Sequence, residues 1–183
     1  MTRLKTAILA LAFAGVVGGQ AHAADANADS YAAMGFYLRG DIGWSFLEWS
    51  GKDDSGLALG GGVGYRFNDN LRADVRVDWA GVYDSTVGGN DMQITTGLAN
   101  LYFDIPTNSM ITPYLGAGVG YGWGTVDGPN NNKDGAAYAL MAGASISLTD
   151  NIDMDVGYRF REVMSDGNNP MEHQITTGLR FGF

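Results

Sequence analysis

From Phe36 onward the chain alternates between apolar and polar or small residues with a period of two, the signature of β-strands with two unlike faces. Phe36 to Phe46 sets Phe36, Leu38, Ile42, Trp44 and Phe46 against Tyr37, Arg39, Asp41 and Ser45. Leu57 to Phe67 sets Leu57, Leu59, Val63, Tyr65 and Phe67 against Ala58, Gly60, Gly62, Gly64 and Arg66. After the turn Asn68-Asp69-Asn70, Leu71 to Trp79 opposes Leu71, Ala73, Val75, Val77 and Trp79 to Arg72, Asp74, Arg76 and Asp78. Pro113 to Trp123, Ala137 to Leu148, Ile152 to Phe160 and Met171 to Phe183 follow the same rule.

The fourth segment, Asp91 to Asp104, is irregular. Met92, Ile94 and Leu98 share one parity and Leu101 and Phe103 the other. A β-bulge near Ala99 would reconcile them, and so would a leucine that fills an interior. The count is then eight strands. Part of the pattern recurs: Gln93-Ile94-Thr95-Thr96-Gly97-Leu98 returns as Gln174 to Leu179, and at the same offset Ala58-Leu59, Gly62, Asp69-Asn70 and Asp74-Val75 match Ala139-Leu140, Gly143, Asp150-Asn151 and Asp155-Val156. A four-strand unit present twice implies equivalent strands in one sheet, and closure into a barrel removes the edges of that sheet.

Volume decides which face points inward. The apolar faces carry roughly thirty bulky side chains, far more than the narrow interior of an eight-stranded barrel accepts. The opposite faces hold small residues, Gly60, Gly62, Gly64, Gly116, Gly118, Gly120 and Gly122 among the 28 glycines, together with long charged ones. Bulk outward and polarity inward predict an all-β, eight-stranded antiparallel up-and-down transmembrane β-barrel. The inward charges are then Arg39, Arg66, Arg72, Arg76, Arg159, Arg161 and Arg180 facing Asp41, Asp74, Asp78, Asp153, Asp155 and Glu172. A selectivity ring would show one sign, whereas this set is nearly balanced and reads as a paired network that fills the lumen.

Connections alternate between long ones (Leu47 to Gly56, Ala80 to Asn90, Thr125 to Gly135, Glu162 to Pro170) and short ones, which places the long ones outside the cell and the short ones in the periplasm. Trp44, Trp79, Trp123 and Phe160 fall at the upper ends of their strands as an outer aromatic girdle, and Phe36, Phe67, Phe181 and Phe183 form the periplasmic one.

Arg3 and Lys5, the apolar run Ala7 to Val17 and the small-residue site Ala21-His22-Ala23 have the layout of a secretory signal peptide cleaved after Ala23. The organisation is therefore a signal over 1–23, a polar lead-in over 24–35 and a barrel over 36–183. A net charge of −9 argues against nucleic acid, and the absence of cysteine excludes disulfides and thiolate metal sites.

The stretches Asn100-Leu101-Tyr102-Phe103-Asp104, Thr112-Pro113-Tyr114-Leu115-Gly116-Ala117-Gly118-Val119-Gly120-Tyr121 and Leu179-Arg180-Phe181-Gly182-Phe183 resemble the small opacity-type and OmpA-type outer-membrane β-barrel proteins of Gram-negative bacteria. The resemblance covers nearly the whole chain after the signal. It implies outer-membrane residence among lipid and lipopolysaccharide, and a last strand whose Leu179, Phe181 and Phe183 are read by the outer-membrane assembly machinery. It does not imply one biochemical role, because such barrels serve as structural proteins, adhesins, small pores or lipid-modifying enzymes.

Candidates for chemistry are few. His173 is the only histidine after the signal and sits on the outward parity of the last strand; outer-membrane lipid A deacylases carry a Ser two residues beyond such a His, and here that residue is Ile175. Asp53-Asp54, the stretch Asp127 to Asp134, and Asp166-Gly167-Asn168-Asn169 are acidic or amide-rich without the spacing of a calcium loop. The expectation is a monomeric outer-membrane barrel of structural or surface-exposed role, without enzymatic activity, cofactor or metal. An adhesin or ligand-binding surface protein using its external loops, and a narrow porin, are the alternatives.

Overall fold

A computed structural model describes residues 35–49, 52–83, 92–126, 133–164, 169 and 171–183. The expected signal over 1–23, nearly all of the lead-in, the segment 127–132 and residues 166–168 lie outside the described residues.

The strands are β1 (Gly35–Trp49), β2 (Lys52–Arg66), β3 (Leu71–Tyr83), β4 (Met92–Asp104), β5 (Ile111–Val126), β6 (Lys133–Thr149), β7 (Ile152–Met164) and β8 (Met171–Gly182). Each pairs antiparallel with the next, and β8 pairs with β1 to close the barrel. The register fixes its geometry. Ladder partners followed from Leu47 run through Glu172, Arg161, Ala139, Gly118, Asn100, Asp74 and Gly64, and return to β1 at Tyr37, ten residues below the start. With ordinary strand spacings that stagger tilts the strands by about 40° from the barrel axis.

Burial is inverted relative to a soluble domain. Arg72, Arg76 and Arg161 are among the largest fully buried side chains, while Val75, Val119, Leu115 and Ile175 are more than half exposed on the outer wall. An apolar exterior around a charged interior is stable only where the exterior meets lipid. Closure also leaves no strand edge unpaired in that lipid.

One expectation is corrected, and one choice left open is decided. The strands have 12 to 17 residues, and β1, β2, β3, β5, β6 and β7 run beyond the segments that alternate, whereas β4 and β8 keep the expected extent. β1 and β2 pair up to Trp49 and Lys52, so Leu47 to Gly56 is mostly strand rather than a long connection. The other three upper connections are shortened in the same way, to Tyr83, Val126 and Met164 on their rising strands. Main-chain pairing needs no apolar face, so it persists where side-chain alternation has ended. The open choice concerns β4. Its register with β3 is unbroken from Leu71 to Ala80, leaving no bulge at Ala99; the shift falls between Ala80 and Tyr83. Ile94 and Leu98 point inward, each 1% exposed, while Leu101 and Phe103 face outward. The interior-filling leucine is the arrangement adopted.

At the lower end the Asn68 side-chain oxygen accepts the Asn70 and Leu71 amides, both at 2.9 Å, and this local cap makes the β2–β3 turn tight.

Candidate functional site

The site that sequence and fold single out is the barrel interior. The inward face of each strand supplies a rung, and the stagger arranges the rungs as a stack of charged layers. At the periplasmic end Arg180 on β8 bridges Asp155 at 2.9 Å and Asp153 at 2.8 Å. Asp153 is also 3.7 Å from Arg66. Ser145 on β6 donates to Asp155 at 2.6 Å. Next to this group Arg72 pairs with Asp104 at 3.0 Å. Its guanidinium lies over the rings of Tyr102 and Tyr114, 4.5 and 4.9 Å from their centroids. Two aromatic faces are a favourable seat for a cation removed from water.

Adjoining both groups, Arg39 reaches Asp41 at 2.8 Å, Asp74 at 3.1 Å and Asp155 at 3.6 Å. Asn100 donates to the other oxygen of Asp74 at 2.7 Å. Above it Arg76 pairs with Asp41 and Asp78, and Arg159 with Asp78 at 2.9 Å. The highest charged layer is Arg161 with Glu172, where Arg161 also donates to Thr96 on β4 and Ser45 donates to Glu172 at 3.1 Å.

All thirteen inward charges expected from the sequence take part in ion pairs of this stack. Sequence reasoning missed a fourteenth, Asp104, which brings seven arginines against seven carboxylates: Asp41, Asp74, Asp78, Asp104, Asp153, Asp155 and Glu172. The signal was there, since Asp104 has the opposite parity to Leu101 and Phe103, but the irregular start of β4 obscured it. The neutral partners Ser45, Thr96, Asn100, Ser145 and Gln174, and the buried tyrosines 37, 102 and 114, were likewise not singled out.

The inward glycines make room for this stack. A Cβ on Gly60 would overlap the Arg76 and Asp78 side chains, one on Gly64 the Tyr37 ring, and one on Gly118 the Asn100 amide. A cavity of about 10 Å³, lined by Asp41, Gly60, Arg76, Asp78, Arg159 and Gln174, is the size of a single water.

On the outer wall, Phe36, Tyr65 and Phe67 meet edge to face at 4.9 and 5.2 Å near the lower rim. Near the upper rim Tyr121 packs on Trp123 at 5.3 Å and Phe160 on His173 at 5.3 Å. Trp44 faces outward, and the Trp79 indole donates to Gln93 at 3.4 Å. Leu179, Phe181 and Phe183 all lie on the outward face at the end of the chain. The Tyr158 hydroxyl lies 2.5 Å from His173 Nδ1, so the histidine is engaged by an aromatic neighbour, with Ile175 where a nucleophilic serine would be needed. Among the described residues no group of three or more His, Cys, Asp or Glu is arranged to hold a metal ion.

A barrel with a greasy wall and a charge-paired interior defines an integral membrane protein of the outer-membrane type. The chain belongs to the outer membrane protein β-barrel domain family, whose model matches residues 9–183, and it resides in the outer membrane. It is 33% identical over 196 residues to an uncharacterized protein of Brucella suis biovar 1, covering 72% of this chain and 69% of that one. A putative adhesin of Rickettsia prowazekii is 22% identical over 80% of this chain and 87% of its own length. Among solved structures it is similar to Neisserial surface protein A, with a TM-score of 0.73 at 25% identity over 81% of this chain and 97% of that one.

Proposed function

We propose that the protein is a structural, surface-exposed component of the outer membrane, and that its lumen is a solid, charge-paired core rather than a conduit. The observation that carries this reading is the pairing of seven arginines with seven carboxylates in an interior whose described cavity is the size of one water. Fixed charges of one sign select ions, whereas paired charges of both signs cancel and occupy the path. The barrel acts as a monomer, surrounded by lipid and lipopolysaccharide, and is inserted by the outer-membrane assembly machinery through its last strand. It carries no enzymatic activity: its outward histidine lacks a nucleophile, and the buried carboxylates are committed to arginines. Purified protein in a planar bilayer is expected to show no reproducible steady conductance. Ion-selective single-channel steps from the unaltered protein would replace this reading with that of a narrow pore.

A second reading, a surface protein that binds a ligand or host partner through its external connections, is supported by the Rickettsia relative's description as a putative adhesin. Its test is a pull-down with intact cells that display the protein with and without substitutions in Asp53-Asp54 and the stretch from Asp127 to Asp134. Loss of a captured partner only on substitution supports it, and equal capture counts against it.

A further inference from the structure

The inward positions do not stay polar to the top of the barrel. Above Arg161, and level with Glu172 on β8, the inward residues of five other strands are Leu47 on β1, Ala80 on β3, Ile94 on β4, Ala137 on β6 and Val163 on β7, all 4% exposed or less. The stagger brings them to one height. Ala80 pairs with Ile94 and Ala137 with Val163, and Leu47 pairs with Glu172 on the strand between β1 and β7. Val163 reaches past the neighbouring strand at that height: a Cβ on Gly122 of β5 would come within 2.7 Å of its Cγ2, although β6 separates the two strands. Gly122 is the space into which Val163 fits.

Solvent exposure within the paired stack is confined to its periplasmic rim. Arg66 and Asp153, at the periplasmic end, keep 12% and 17% of their side chains exposed, whereas Arg161 and Glu172, at the end that carries the apolar residues, keep 0% and 1%. Ser147, beside Asp153 on the same rim, is exposed. One end of the stack is therefore wet and the other dry.

We propose that Leu47, Ala80, Ile94, Ala137 and Val163 form an apolar seal across the outer end of the lumen, so that the barrel is a blind tube whose interior charges meet water and small cations only from the periplasmic side. A constriction lined by alkyl groups excludes water, and a hydrated ion would have to shed its shell to pass it. This assigns the outer barrier to five apolar side chains, separately from the charged stack that fills the barrel beneath them. It also shields the Arg161 and Glu172 pair from the salt and pH of the external medium.

The chain has no cysteine, so a single introduced thiol reports access without background. Ser45→Cys lies directly beneath the seal and Ser147→Cys lies at the periplasmic rim. Each is folded into lipid vesicles and exposed to silver ion. The unreacted thiol is then titrated after unfolding, and folding is checked by heat-dependent gel mobility. The Ser147→Cys thiol is expected to react at least about 100-fold faster than the Ser45→Cys thiol, which reacts only through opening of the barrel. Adding Leu47→Ala, Ile94→Ala and Val163→Ala should raise the Ser45→Cys rate about tenfold or more and leave the Ser147→Cys rate within about twofold. Should the triple variant fail to fold, Ile94→Ala alone replaces it with a smaller rise. Equal reactivity of the two thiols in the otherwise unaltered protein overturns the proposal, and so does a Ser45→Cys rate unmoved by the alanine substitutions in a folded barrel.

Discussion

Asp74 on β3 and Asp155 on β7 face each other across the lumen and share one arginine: Arg39 reaches the first at 3.1 Å and the second at 3.6 Å. They occupy corresponding positions in the two copies of the sequence repeat, about 80 residues apart. In a ring of eight strands, two strands that are four apart stand opposite one another. The repeat therefore places like charge against like charge across the axis, and a cation between them removes the conflict. Arg39, whose own strand stands a quarter-turn from each, is the side chain in position to do so.

Removing the carboxylate that completes the balance has a definite expected cost. Asp104→Ala leaves the Arg72 guanidinium fully buried with its nearest counter-charge, Asp155, at 3.7 Å. Breaking a dry buried pair on one side costs roughly 3 to 5 kcal/mol, reduced here by the two tyrosine rings that still flank the cation. Urea unfolding from lipid vesicles, followed by tryptophan fluorescence, measures the loss. A change below about 1 kcal/mol would mean that the pair is solvated.

Inward and outward glycines should answer differently to alanine. At Gly64 a methyl group would overlap the Tyr37 ring and press on the Ala73 carbonyl, so Gly64→Ala is expected to lower stability by about 1 to 3 kcal/mol. Gly97 faces outward, and there the nearest atom of Trp123 is 3.6 Å from the new carbon, an ordinary contact. Gly97→Ala should be neutral or should stabilise by up to about 1 kcal/mol, since glycine within a strand loses more backbone freedom on folding. Unfolding midpoints of the two variants compare them directly.

The lipid-facing wall predicts a depth profile. Val75, at mid-strand, is 62% exposed to the surroundings, and Val75→Arg is expected to destabilise the barrel by about 2 to 4 kcal/mol. Ile111, at the periplasmic start of β5, should tolerate the same change at a cost of about 0 to 1 kcal/mol. Equal effects at both positions in vesicles would show that the wall is not spanning lipid as described.

Export and insertion make the last two predictions. Intact-mass measurement on the outer-membrane fraction is expected to find a chain beginning at Ala24, and retention of Met1 would contradict cleavage at Ala21-His22-Ala23.

Deletion of Phe183, which shares the outward face with Phe181 and Leu179, should lower the amount of folded barrel in the outer membrane while unfolded chain accumulates in the periplasm. Unchanged folded levels would remove that residue from the assembly signal.

The eight strands, the direction of their faces and thirteen of the fourteen paired charges were legible in the amino-acid sequence, because each depends on a local rule. Alternation assigns a side chain to a face from its immediate neighbours. The bulk of Phe, Trp, Leu and Val on one face and the glycines on the other then decide which face can be inside. Three matters needed the closed structure. Strand ends were invisible because main-chain pairing continues past Phe46 and Trp79, where the side chains no longer alternate. Asp104, Ile94 and Leu98 stayed ambiguous because a strand that carries apolar residues on both parities has no local rule to place it; its unbroken pairing with β3 does. Which arginine meets which carboxylate, and that Leu47, Ile94 and Val163 share one height, follow from the ten-residue stagger, a property of closure that belongs to no single strand.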